Sequence, residues 1–140
     1  MLSIYPACFF KEDTGYSVVF PDLNHLATCG DTLEEAIEMA VDCLAGYLYT
    51  LKKEHQEAPK PSDMSSIDPV AIAAELDLPT GEAFVNMVSV DVNDYAKAHF
   101  ERSVKKTLTI PSWLNEAALE KNINFSQVLQ EALKEKLHTI

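Results

Sequence analysis

The chain opens with an apolar run, Ile4 to Phe10, then a polar stretch, Lys11-Glu12-Asp13-Thr14-Gly15, then a second run, Tyr16 to Phe20, of aromatic and β-branched residues. Two runs of strand length around a glycine-bearing turn predict a hairpin. Pro21-Asp22-Leu23-Asn24 then reads as a turn into a third strand, His25 to Cys29, ending at Gly30 and completing a meander. Beyond Gly30 the apolar period lengthens to that of a helix. Leu33, Ile37, Ala40, Val41, Leu44, Leu48 and Leu51 fall on one face, and Thr32-x-x-Glu35 fits a capping box, with Asp31 a competing cap. The pattern predicts a long amphipathic helix packed on the sheet.

Periodicity fades at Gln56-Glu57-Ala58-Pro59-Lys60-Pro61-Ser62, where two prolines mark an exposed loop. Asp68 to Leu76 predicts a short helix with Pro69 in its first turn. After Pro79-Thr80-Gly81, Phe84 to Val92 reads as a strand in which Phe84, Val88, Val90 and Val92 share a parity and polar Asn86 is the exception. Asn93 or Asp94 then caps a short helix to about Arg102. Val104 to Ile110 has a strand pattern stopped by Pro111, Ser112 can cap a helix to about Lys121, and Asn122 to Asn124 turn the chain into a last helix from Phe125. Its apolar positions, Phe125, Val128, Leu129, Ala132, Leu133 and Leu137, are spaced three and four apart. Fewer than forty residues cannot bury so much apolar surface alone, so this segment needs a second copy.

Length and composition narrow the class. At 140 residues, with 47% apolar and 24% charged, the chain is one domain or a small domain with an appendage, which excludes large two-lobed enzymes. No apolar run approaches the ~18 residues of a membrane span, and Met1 to Pro6 shows no export signal. Three cysteines, an odd number, in a chain read as unexported predict reduced thiols in a cytoplasm.

A net charge of −11 argues against nucleic acid until its distribution is read. Residues 1–100 carry five lysines against seventeen carboxylates, whereas residues 101–140 carry six basic residues against five glutamates. The two parts are suited to different partners. Within the first part, Glu34, Glu38 and Asp42 recur every four residues along one side of the long helix, with Glu35 beside them. Stacked like charges oppose the helix slightly, and only Glu34 and Glu35 are near enough to its N-terminus to be offset by the dipole.

Catalytic readings find little support. Asp22, Asp31, Glu35 and Asp91 are available to hold a divalent metal in a nuclease, but scattered acids supply such candidates by chance. Cys8, Cys29 and Cys43 lack zinc spacing, and His25, His55, His99 and His138 follow no interval. Cys8 and Cys43 read as small core residues. Cys29 with His25 would be a nucleophile and base lacking an orienting acid, and four glycines leave no phosphate-cradling loop. No enzyme activity, metal or cofactor is expected. The alternatives are a metal-dependent nuclease and a plain dimeric repressor whose body binds a small ligand.

Lys105-Lys106-Thr107-Leu108-Thr109-Ile110-Pro111, then Trp113-Leu114 and Asn124-Phe125-Ser126-Gln127-Val128-Leu129, resembles a ribbon-helix-helix DNA-binding domain. The preceding part, with its hairpin, Gly15-Tyr16, Phe20-Pro21-Asp22-Leu23 and Gly30-Asp31-Thr32-Leu33-Glu34-Glu35-Ala36, resembles the N-terminal domain of HicB antitoxins. Each motif is weak alone; their order matches the longer HicB architecture over essentially the whole chain. The resemblance implies an α+β fold, with residues 1–100 forming a toxin-binding domain of small antiparallel sheet and packed helices, incompletely ribonuclease-H-like. Residues 101–140 would form a ribbon-helix-helix domain for dimerisation and DNA binding. It also implies partners: a HicA-type mRNA-cleaving toxin, operator double-stranded DNA, and a second copy in a homodimer, with a tetramer where two dimers share an operator.

Strand alternation places Lys106, Leu108 and Ile110 on one side and Lys105, Thr107 and Thr109 on the other. In a two-fold ribbon, Lys105, Thr107 and Thr109 would face the major groove. Lys106 adds charge, and a helix start capped by Asn124 with Gln127, or by Ser126, would hold a phosphate. Leu108, Ile110, Trp113, Val128, Leu129 and Leu133 would form the dimer core. An RNA-cleaving toxin must be basic, so Glu12, Asp13, Asp22, Glu34, Glu38 and Asp42 are the candidate toxin contacts.

Overall fold

Strand β1 (Ser3–Lys11) turns into β2 (Tyr16–Phe20) where the Glu12 N–H donates to the Gly15 carbonyl at 3.0 Å. The computed structural model describes residues 1–78, 81–101 and 103–138. Gly15 sits at φ +86°, and a Cβ there would lie 2.2 Å from the Gly30 carbonyl oxygen, so the turn admits no side chain. A 3-10 turn, Pro21–Leu23, leads to β3 (Leu26–Gly30). The third strand starts one residue later than the sequence predicts, because Asn24 and His25 both occupy the left-handed region, at φ 56° and 55°.

A fourth strand, β4 (Ala83–Val90), pairs antiparallel with β1, giving the order β3-β2-β1-β4. The register runs from Ser3↔Val90 to Phe10↔Ala83. The Lys11 N–H donates to the Glu82 carbonyl at 2.9 Å, so odd-numbered residues of β1 direct their backbone groups toward β4 and even-numbered ones toward β2. Pro6 therefore faces the β2 side, where the ladder has already ended at Cys8↔Val19, and its missing N–H costs no sheet bond.

Both faces of β1 are covered, which is why its sequence is a continuous apolar run. Tyr5, Ala7 and Phe9, with Val18, Phe20, Val88 and Val90, pack on α1 (Leu33–Lys53). Cys8, Phe10 and Val19 pack on Ile72 and Ala73 of α2 (Pro69–Glu75). Asp68 caps α2 by accepting from the Val70 N–H at 3.0 Å.

Thr32, not Asp31, caps α1. Its Oγ1 accepts from the Glu35 N–H at 3.1 Å, and the Glu35 carboxylate reaches back to the Asp31 N–H at 3.2 Å. Leu44 and Leu48 are buried as the periodicity predicts, but Leu33 and Ile37 are not: they remain 39% and 42% exposed. Ala40 faces the core as the spacing predicts, and Ala36, which it did not predict, lies buried beside it. A Cβ on Gly30 would lie 2.4 Å from the Ala36 nitrogen, so helix and strand backbones meet where only small residues fit, and the larger pair is left at the flank. Val41 and Leu51 are half-buried.

Helix α3 (Val92–His99) is capped by Asp91, which accepts from the Asp94 N–H at 3.2 Å, rather than by Asn93 or Asp94. The preceding strand consequently ends at Val90 instead of Val92. The helix ends at His99, short of the end near Arg102 that the sequence predicts, with Phe100 at its C-cap and Glu101 already irregular; Arg102 itself, and Pro79 and Thr80 of the predicted turn, lie outside the described residues. Tyr95 of α3 donates to Asp42 at 2.8 Å, and the Phe100 ring stacks obliquely on Tyr49 at 5.4 Å beside Gly46.

The chain divides into two compact units, Met1–Arg102 and Ser103–Ile140. The second holds α4 (Ser112–Glu120) and α5 (Phe125–Lys136). Ser112 is the first helical residue rather than the cap, the N-cap position belonging to Pro111. Residues 104–110, predicted as a strand, have no regular structure in the single chain. A strand is defined by the partner that satisfies its backbone groups, and among the described residues none pairs with this segment. No described residue of this unit is buried.

Candidate functional site

The six carboxylates expected to meet a toxin fall into two groups. Three serve the fold. Glu12 is half-buried and accepts from the Ser17 hydroxyl at 2.6 Å. Asp22 accepts from both the Ser62 N–H and the Ser62 hydroxyl, each at 2.7 Å, pinning the proline loop back onto the body; the Tyr5 hydroxyl, donating to the Pro59 carbonyl, pins it again. Asp42 accepts from Tyr95, whose phenol is pushed above its ordinary range by burial first and then by that bond. The other three, Asp13, Glu34 and Glu38, are exposed, and no described residue hydrogen-bonds their side chains.

Periodicity missed the neighbours of Glu34 and Glu38. Leu33 and Ile37 form an exposed apolar row one step round the helix from these carboxylates. The signal in the sequence was the small-residue set Gly30, Ala36 and Ala40, which marks the side that approaches the sheet.

Of the carboxylates considered for metal chemistry, Glu35 accepts from the Asp31 N–H at the α1 cap, Asp91 caps α3 and Asp22 holds Ser62, while Asp31 enters the cap through its backbone only and is exposed. Among the described residues, no group of three or more His, Cys, Asp or Glu is placed to hold a metal ion. Cys8 is buried and its thiol is pushed up to about 11, chiefly by desolvation. Cys43 is half-buried rather than core, with Sγ 3.9 Å from the Ala27 carbonyl, and Cys29 is exposed. His25 Nε2 faces Glu75 at 3.8 Å, so its described partner is a carboxylate of α2 and not Cys29.

In the second unit, Lys105, Lys106, Thr107 and Thr109 are exposed along the irregular segment before α4. Asn124 caps α5 by accepting from the Gln127 N–H at 3.1 Å; Ser126 lies within the helix and is exposed. Leu108, Ile110, Trp113, Val128 and Leu133 are exposed, Trp113 to 69%, and Leu129 is half-buried.

A family model described as the HicB-like antitoxin of bacterial toxin-antitoxin systems matches residues 5–133. The chain belongs to this HicB-like antitoxin family. The family is one of antitoxins, not enzymes. Two relatives from Photorhabdus laumondii, Antitoxin HicB 2 and Antitoxin HicB 1, are 37% and 40% identical over 75 and 68 residues, or 51% and 46% of this chain. The chain spans about half the length of these curated relatives, 54% and 44%. A solved chain of a toxin-antitoxin complex from Streptococcus pneumoniae is 34% identical with a TM-score of 0.64, covering 97% of this chain and 99% of that one. A chain of the HicA3 and HicB3 toxin-antitoxin complex shares the fold over 64% of this chain and 99% of its own, at 23% identity and a TM-score of 0.50. The α+β architecture of this HicB-like chain, a four-stranded antiparallel sheet with five helices among the described residues, accords with the Streptococcus pneumoniae structure. Among the described residues, no helix is long and apolar enough to cross a membrane.

Proposed function

We propose that this chain is an antitoxin with two binding modules. Residues 1–100, an incomplete ribonuclease-H-like body, bind and neutralise a HicA-type mRNA-cleaving toxin. Residues 101–140 form a ribbon-helix-helix domain that dimerises, binds operator DNA and represses its own operon in the cytoplasm. The observation that carries this reading is the nearly full-length likeness, in sequence and fold, to a chain of a bacterial toxin-antitoxin complex. The charge division supports it: a basic RNA-cleaving protein is attracted to the acidic body, and the tail carries the lysines that phosphates require.

For the tail, a second copy supplies what the single chain lacks. Two 104–110 segments pairing antiparallel would satisfy each other's backbone groups and present Lys105, Thr107 and Thr109 to a major groove. Leu108, Ile110, Trp113, Val128, Leu129 and Leu133 would then be buried between copies. With Asn124 engaged at Gln127, the first amides of α5 remain for a phosphate, with Lys106 adding charge. Co-expression with the neighbouring gene tests the first module; growth rescue and co-purification are expected, and neither appearing refutes it. Thr107→Ala with Thr109→Ala should abolish operator preference in a mobility-shift assay and leave rescue intact. Loss of both functions would refute the division into modules.

A further inference from the structure

We propose that the N-terminal half of α1 is the docking face for a basic protein, with Leu33 and Ile37 as its apolar anchor and Glu34 and Glu38 as its charged flank. This rests on the antitoxin reading and specifies where on the body the toxin sits. Leu33 and Ile37 are one helical turn apart and exposed to 39% and 42%, although the same helix buries Ala36 and Ala40 completely. Glu34 and Glu38 form the adjacent row, again one turn apart, so two like charges are stacked without any described partner. An apolar strip bordered by carboxylates has the composition of a protein interface, with a dehydrated centre and a polar rim.

Charge decides the occupant. The forty residues between Lys11 and Lys52, which include β2, β3 and nearly all of α1, hold eight carboxylates and neither lysine nor arginine. The body of a second copy, residues 1–100, brought against this face would meet the same sign of charge, and its tail carries an excess of only one basic residue. A protein that grips RNA carries the opposite sign and can bury aliphatic stems of lysine or arginine on Leu33 and Ile37 while pairing their heads with Glu34 and Glu38. Glu12, Asp22 and Asp42 do not extend the face, because each already holds a bond within the body.

The test measures binding of the full chain to the basic product of the neighbouring gene, with association and dissociation resolved. Leu33→Ser with Ile37→Ser should speed dissociation about tenfold or more and change association little. Glu34→Lys with Glu38→Lys should slow association about tenfold at low salt and flatten its salt dependence. Val70→Ser is the control: Val70 is exposed on α2, across the sheet, and its rates should match the parent's. All variants should retain the parent circular-dichroism spectrum and operator binding. Parent-like kinetics in both double variants, or an equal loss in Val70→Ser, would overturn the docking face while leaving the antitoxin reading standing. A parent chain that does not bind the neighbouring gene product overturns both.

Discussion

Gly30 shows how much a single missing side chain can determine. A methyl group there would lie 2.4 Å from the Ala36 nitrogen and 2.7 Å from its Cα, both backbone atoms that no rotamer change can move. Gly30→Ala is expected to destabilise the body by about 1–3 kcal/mol, read from the urea midpoint. Asp22 makes the opposite point, since it reads from sequence as a docking carboxylate but its partner, Ser62, lies forty residues away, where no local pattern could reveal it. Asp22→Asn should cost about 1–2 kcal/mol, expose Glu57 in the loosened loop to glutamyl endopeptidase, and leave toxin association unchanged. Cys8 was legible as core. Its thiol stays neutral in the fold to about pH 11 but ionises near 9.0 once unfolded, so the unfolded chain sheds its proton first. That contribution to stability is complete below pH 9 and is lost as pH rises toward 11, measurable as a falling denaturation midpoint; Ellman's reagent at pH 8 should modify Cys29 fastest and Cys8 only on unfolding.

Elements were legible wherever the chain satisfies its own hydrogen bonds. The hairpin and the long helix follow from their periods, and the Thr32-x-x-Glu35 box correctly placed the start of α1. Thr32→Ala should therefore cost about 1 kcal/mol in chemical denaturation. The exact facing of α1 was not legible. Apolar spacing ranks leucine and isoleucine above alanine, whereas close packing against a glycine-bearing strand reverses that order, turning Ala36 inward and Ile37 outward. Strand ends were set by features periodicity does not weigh: left-handed His25 delays β3, and the Asp91 cap shortens β4. The 104–110 segment has a strand's composition without a strand partner among the described residues, and it is irregular in the single copy.

The whole molecule combines a body with a buried core and a tail that has none among its described residues. Order in the tail is then expected to depend on association. Its melting transition should rise in temperature with protein concentration, while the body's stays fixed, as differential scanning calorimetry over a hundredfold dilution series would show. The same division marks what the sequence could show: opposite charge balances separate the two parts of the chain, but contacts between molecules depend on surfaces that only folding sorts from core. The pairing of β1 with β4 joins Ser3 to Val90. During synthesis the first strand must wait, one edge open, until nearly two-thirds of the polypeptide has left the ribosome. Pairing across so long a stretch of chain is expected to make the body close late and slowly, and on the antitoxin reading proposed above each newly made copy would pass through an interval in which it exists but cannot yet neutralise its toxin.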